Sequence, residues 1–180
     1  SRATGPRKNG AARLQQNNSP RARAPRFCPT VCPTQAAKTQ VFEGDRVLEI
    51  GCDLGATTDF LVRRGAAEVL AVDKAKDRLA TARARVVGAT FLACDVLAAP
   101  AAVEAAMPRA DVVFVDINGS REYAAVTECV SWVEARWPDA VVVVKSVAYM
   151  QRHFPESMNA HAPRRQRPPP EGRGSGAPSS

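Results

Sequence analysis

No run of about 18 apolar residues occurs in the chain, so no segment qualifies as a membrane-spanning helix. The longest apolar stretches, such as Val141 to Val144, are strand-sized. Histidine is scarce, with only His153 and His161. The five cysteines stand at positions 28, 32, 52, 94 and 129. That odd, scattered set makes no disulfide framework and points to a reducing, intracellular compartment. Cys28 and Cys32 are spaced C-x3-C, but a zinc site needs about four ligands and the two histidines are far along the chain, so no metal is expected. Residues 1–26 contain no acid and no aromatic residue, against seven arginines and lysines. Residues 163–180 carry four arginines and only Glu171. The net charge of +7 therefore resides in the two ends, because the stretch between them holds 14 basic and 17 acidic residues.

Two basic tails, 1–26 and 163–180, are thus expected to flank one domain over residues 27–162. Their Pro/Ser/Gly-rich composition favours disorder. Their charge also suits contact with an anionic surface such as RNA, although no aromatic side chains are interleaved to stack on bases. The acid-free, arginine-rich start fits an organellar transit peptide too, which leaves cytoplasm or an organelle as the expected location.

Within the domain, apolar strands alternate with helical stretches. The pattern predicts a short helix over 34–42 with Thr34 at its cap. Strands follow at Arg46–Ile50, Glu68–Val72, Thr90–Ala93, Asp111–Val115 and Ala140–Val144. Between them it predicts helices over Thr57–Arg64, closed by Gly65, and over Lys76–Val87, Pro100–Met107 and Arg121–Arg136. The last of these shows one apolar stripe. After residue 150 the pattern fades, and Pro155 interrupts a helical stretch from Tyr149 to Met158. Strands apolar throughout, with intervening helices, mean an open, mostly parallel α/β sheet covered on both faces and truncated after its fifth strand.

Open α/β sheets bind ligands beyond the carboxyl ends of their strands. Polar residues gather there in this chain. The first predicted strand runs into Glu49-Ile50-Gly51-Cys52-Asp53-Leu54-Gly55. The second ends at Asp73, the third is followed by Asp95, the fourth by Asp116 ahead of Asn118-Gly119, and the fifth by Lys145. A dinucleotide loop of the form G-x-G-x-x-G would need glycine at 53 and glycine or alanine at 56. The chain has Asp53 and Ala56, and a carboxylate at the middle position repels a pyrophosphate.

The segments VLEIGCDLGATTDFLVRRGA, EVLAVDKA, FLACDV, DVVFVDING and VVVVKS together resemble the class I S-adenosylmethionine-dependent methyltransferases, a Rossmann-like family. Glu49, Gly51 and Gly55 match the family's E/D-x-G-x-G-x-G loop, while Asp53 replaces its middle glycine. The resemblance implies S-adenosyl-L-methionine as cofactor. It makes Glu49 an organiser of the loop and of water near the methionine amino group. Gly51 and Gly55 would admit the methionine portion, and Asp73 would accept the ribose diol. Asp95 would meet the adenine amino group, with Cys94 and Val96 beside the ring, and Asp116 would lie near the transferred methyl.

Asp116 and Lys145 end adjacent predicted strands, so they can meet across the cleft. That pair is similar to the aspartate and strand-five lysine of the FtsJ-like RNA ribose methyltransferases. Lys38 stands near the place of their upstream lysine, while their glutamate has no clear match, since after residue 150 only Glu156 and Glu171 occur. Methyl transfer to an acceptor such as RNA is the leading reading. Each residue also has a plainer one. Glu49 pairs with an arginine, Asp73 begins a turn, Asp77 caps a helix, Asp95 caps a turn, and Lys145 is a structural partner of Asp116. A non-catalytic nucleic-acid-binding or degenerate methyltransferase-like protein, and an NAD-binding oxidoreductase, are the alternatives.

Overall fold

The computed structural model describes residues 27–30, 32–117 and 123–155. The two predicted tails, the Asn118-Gly119 turn, and Glu156, His161 and Glu171 lie outside the described residues. In chain order the elements are β1 (Phe27–Pro29), α1 (Pro33–Gln40), β2 (Arg46–Ile50), α2 (Ala56–Arg63), β3 (Glu68–Asp73) and α3 (Lys76–Arg85). They continue with β4 (Thr90–Ala93), α4 (Pro100–Ala106), β5 (Val112–Val115), α5 (Tyr123–Arg136), β6 (Val141–Val144) and α6 (Val147–His153). The strands form one sheet in the order β1-β6-β5-β2-β3-β4, and every pairing is parallel.

Successive strand residues point to opposite faces, so an unbroken apolar strand supplies two cores. Leu48, Ile50, Leu70, Val72, Val113, Val115, Val142 and Val144 face α4, α5 and α6, where Val103, Val130, Val133 and Tyr149 meet them. Their neighbours Val47, Val69, Val112, Phe114, Val141 and Val143 face α1 and α2, against Ala36, Ala37 and Leu61. Truncating a fully buried residue such as Leu48 costs about 2–5 kcal/mol.

The sheet has six strands where five are expected from the sequence. The additional one, β1, pairs with β6 through Phe27, Cys28 and Pro29. It is three residues long and contains a proline, which lacks the N–H of a ladder donor. Such a strand is confined to a sheet edge, and β1 occupies that edge. Helix α1 begins at Pro33 and its N-cap is Cys32 rather than Thr34. Helix α6 ends at His153, before Pro155.

Candidate functional site

The chain lays down β2, β3 and β4 in one direction, then crosses back to place β5 on the other side of β2. The strand order therefore reverses between β2 and β5, and such a switch point opens a crevice above the carboxyl ends. Gly51 and Asp116 leave the two strands side by side. Gly51 has φ +88°, and a Cβ there would lie 2.1 Å from the Asp116 carbonyl oxygen. No other residue fits. Gly55, φ +76°, is the N-cap of α2, and a Cβ there would press on Ala82 of α3 and on Val86 at that helix's C-cap. The two loop glycines thus let β2 turn into α2 between β5 and α3.

A cleft of about 470 Å³ opens above this junction. Four carboxylates line it, from Asp53, Asp73, Asp95 and Asp116, against three cations, Lys74, Arg78 and Lys145. Gly51, Cys94 and Val96 also line it, with Ile50, Val72 and Ile117 as apolar wall. Glu49 and Gly55 do not form its walls.

Asp73 at the end of β3 is held by the backbone. Its Oδ2 accepts from the Asp53 N–H and its Oδ1 from the Ala75 N–H, both at 2.9 Å. It begins a turn, and it also ties the loop after β2 to the start of α3. Asp95 is similar, with Oδ1 accepting from the Leu97 N–H at 3.2 Å. Asp77 is not a cap: α3 is capped at Ala75 and Asp77 lies in the first turn, where a negative charge suits the helix dipole. Asp53 has φ 49°, the left-handed conformation that glycine adopts freely and aspartate tolerates. Its carboxylate pairs with the Arg78 guanidinium.

Glu49 lies beneath the loop, only 3% exposed, and accepts a 2.5 Å hydrogen bond from Thr58 Oγ1 on α2. The partner is a threonine, not an arginine. Burial pushes the Glu49 carboxyl up to about 8, against the pull of Thr58 and with smaller help from Asp116 and Asp73. The buried Cys52 thiol next along is pushed up to about 12, again mainly by burial.

At the other end, Lys145 Nζ donates to Asp116 Oδ2 at 2.9 Å. The register sets this pair: Val115 is opposite Val144, so the next residues leave neighbouring strands together. Lys38 lies exposed on α1 and is not part of the cleft wall. Three residues that the sequence pattern does not single out belong to this region: Thr58, Lys74 and Arg78. Arg78 carries a signal nonetheless, because a cation in the first turn of a helix opposes the dipole and calls for another partner.

The chain is similar to the FtsJ-like methyltransferase model over residues 35–153. No curated protein matches it. Among solved structures, a TehB-like SAM-dependent methyltransferase from Corynebacterium glutamicum shares 15% identity with a TM-score of 0.49, over 62% of this chain and 60% of that one. A putative rRNA methylase from Clostridium thermocellum shares 16% identity with a TM-score of 0.47, over 58% and 63%. The Synechocystis magnesium protoporphyrin IX methyltransferase with bound SAM shares 18% identity with a TM-score of 0.44, over 58% and 49%. In each case the match spans less than two thirds of the other chain's length. The match to the family model covers more than half of the chain, including every residue that lines the cleft from Ile50 to Lys145, and on that ground this chain belongs to the FtsJ-like methyltransferase family.

Proposed function

We propose that the chain transfers a methyl group from S-adenosylmethionine to a ribose hydroxyl of RNA. The observation that carries this reading is the Lys145–Asp116 pair on the cleft wall, 2.9 Å apart. A hydroxyl is a poor nucleophile. It needs a cation to stabilise the charge developing on oxygen and a base to take its proton, whereas an amine or thiolate acceptor asks for less. An ammonium and a carboxylate side by side meet that need.

The cleft residues fit the cofactor. A carboxylate is the natural acceptor for a diol, apolar Val72 and Val96 suit an adenine face, and the acidic lining tolerates a cationic centre. Four carboxylates oppose a pyrophosphate, which disfavours the NAD alternative. Bound there, S-adenosylmethionine supplies an electrophilic methyl on a sulfonium. Asp73 holds the ribose diol: each of its oxygens already accepts one backbone N–H and retains a second lone pair. Asp95, with Cys94 and Val96 beside it, serves the adenine end. Lys145 would stabilise the acceptor oxygen, and Asp116 would orient the lysine and take the hydroxyl proton, while the methyl passes from sulfur to that oxygen and S-adenosylhomocysteine leaves. The basic segments 1–26 and 163–180 hold the RNA, so their removal weakens RNA retention and its salt dependence.

The test is incubation with methyl-labelled cofactor and RNA, DNA or protein, followed by digestion to nucleosides. Label in 2′-O-methyl nucleosides, lost in Lys145→Met, is the expected result. Label on a base or on protein, or an unlabelled RNA with a protein that binds S-adenosylhomocysteine, would refute the ribose reading.

A further inference from the structure

The basic segments 1–26 and 163–180 carry cations but no aromatic residue, so they offer charge to a phosphate chain and no ring to a base. Rings gather elsewhere. Phe27 of β1, Tyr123 of α5, Tyr149 and His153 of α6, and Phe154 just after it form one connected group. None of them belongs to the cleft wall. The group stands beside the Lys145–Asp116 end all the same. Asp116 follows β5 and Lys145 follows β6, and the helices that come next are α5 and α6. Tyr123 is the first residue of α5. Tyr149 lies in the first turn of α6, where its N–H donates to Ser146 Oγ at 3.3 Å.

The outer rings make a flat surface. Tyr149 is buried, Tyr123 half-buried and His153 exposed. The Tyr123 hydroxyl and His153 Nε2 share a hydrogen bond, and their ring planes differ by 16° with centroids 5.8 Å apart. That spacing is too wide for face-to-face contact, so the two rings lie side by side, as paired bases do. Tyr149 backs them, its centroid 4.2 Å from that of His153 and 6.1 Å from that of Tyr123. The Arg152 guanidinium stands 5.4 Å from the Tyr123 centroid. From 145 to 154 the chain holds Lys145, Arg152 and His153 and no acid. We propose that Tyr123 and His153 form a stacking platform for an unpaired base of the acceptor RNA, in a nucleotide flanking the one at Lys145, with Arg152 for the adjoining phosphate. Every base has a flat face, so such a platform anchors a single strand whatever its sequence. The inference rests on the acceptor's being RNA.

Its test is the binding of the full chain to two labelled single strands of equal length and charge, followed by fluorescence anisotropy. One is an unstructured mixed-sequence oligoribonucleotide; the other is its abasic counterpart. The parent is expected to prefer the strand with bases by at least about fivefold. His153→Ala and Tyr123→Leu should lose most of that preference, with the abasic strand bound within about twofold of the parent. Tyr123→Phe keeps the ring and should keep most of the preference. His153 is exposed, so His153→Ala is expected to melt like the parent. Equal loss of both strands in His153→Ala, or a preference unchanged by it, would overturn the platform. A parent that puts 2′-O-methyl label into RNA yet binds both strands alike overturns the platform alone. Label on protein and not on RNA overturns the RNA reading and the platform with it.

Discussion

The two ends of the cleft are built differently. At the β3–β4 end, Asp73 and Asp95 are fixed by backbone N–H groups. At the β5–β6 end, Asp116 is joined to a side-chain ammonium. A carboxylate that accepts from the loop and from the next helix is part of the scaffold as well as of the site, so binding and folding are coupled there. A pair of side chains at neighbouring strand ends can be changed while the backbone stays as it is. The proposed binding end is preorganised by the fold, and the proposed chemical end is separable from it.

The strongest way to break the contrast is at the junction between the ends. Gly51→Ala is expected to cost more than about 4 kcal/mol, because its Cβ meets the Asp116 carbonyl and its φ is positive. Loss of a cooperative melt is the readout. Asp73→Asn comes next. It places an amide against a loop N–H, so about 1–3 kcal/mol of stability should go in a denaturant titration. S-adenosylhomocysteine affinity should fall roughly ten- to a hundredfold in the same variant.

Glu49 sharpens the contrast through pH. Its carboxyl is raised from 4.5 to about 8 by burial. Between those values the folded protein holds a proton that the unfolded chain has released, so stability contributed by this group falls as pH rises through the window. Melting temperature should decline from pH 5 to pH 8, and Glu49→Gln should flatten that decline. The smallest effect belongs to Asp77→Asn, in the first turn of α3 and outside the cleft wall. Stability should drop by about 0.3–1 kcal/mol from the helix dipole, with cofactor affinity unchanged by calorimetry.

Much of the architecture is legible in the amino-acid sequence. Arg46–Ile50 and Thr90–Ala93 are strands with the bounds that their apolar runs imply. Asp53, Asp73, Asp95, Asp116 and Lys145 stand out as polar residues ending such runs, and all five line the cleft. Strand ends are readable because a parallel sheet aligns them regardless of tertiary detail. The edge strand β1 is not readable, since three residues with a proline carry no period and its partner β6 is more than a hundred residues away. Thr58 and Arg78 escape the pattern because they reach the region from helices, where direction depends on how each helix packs. In the sequence Gly51 reads as room for a ligand, yet its nearest constraint is the Asp116 backbone, which only the β2–β5 pairing reveals. The grip of Asp73 on the β2 loop likewise exists only in the folded geometry.

The proposal that this cleft binds the cofactor at one end and activates an acceptor hydroxyl at the other is tested most directly by Lys145→Met. The variant is assayed in parallel for S-adenosylhomocysteine affinity by calorimetry and for methyl transfer to RNA. Affinity within about twofold of the parent, with transfer reduced by at least about a hundredfold, is the predicted result. Transfer equal to that of the parent, or affinity lost in step with transfer, would contradict it.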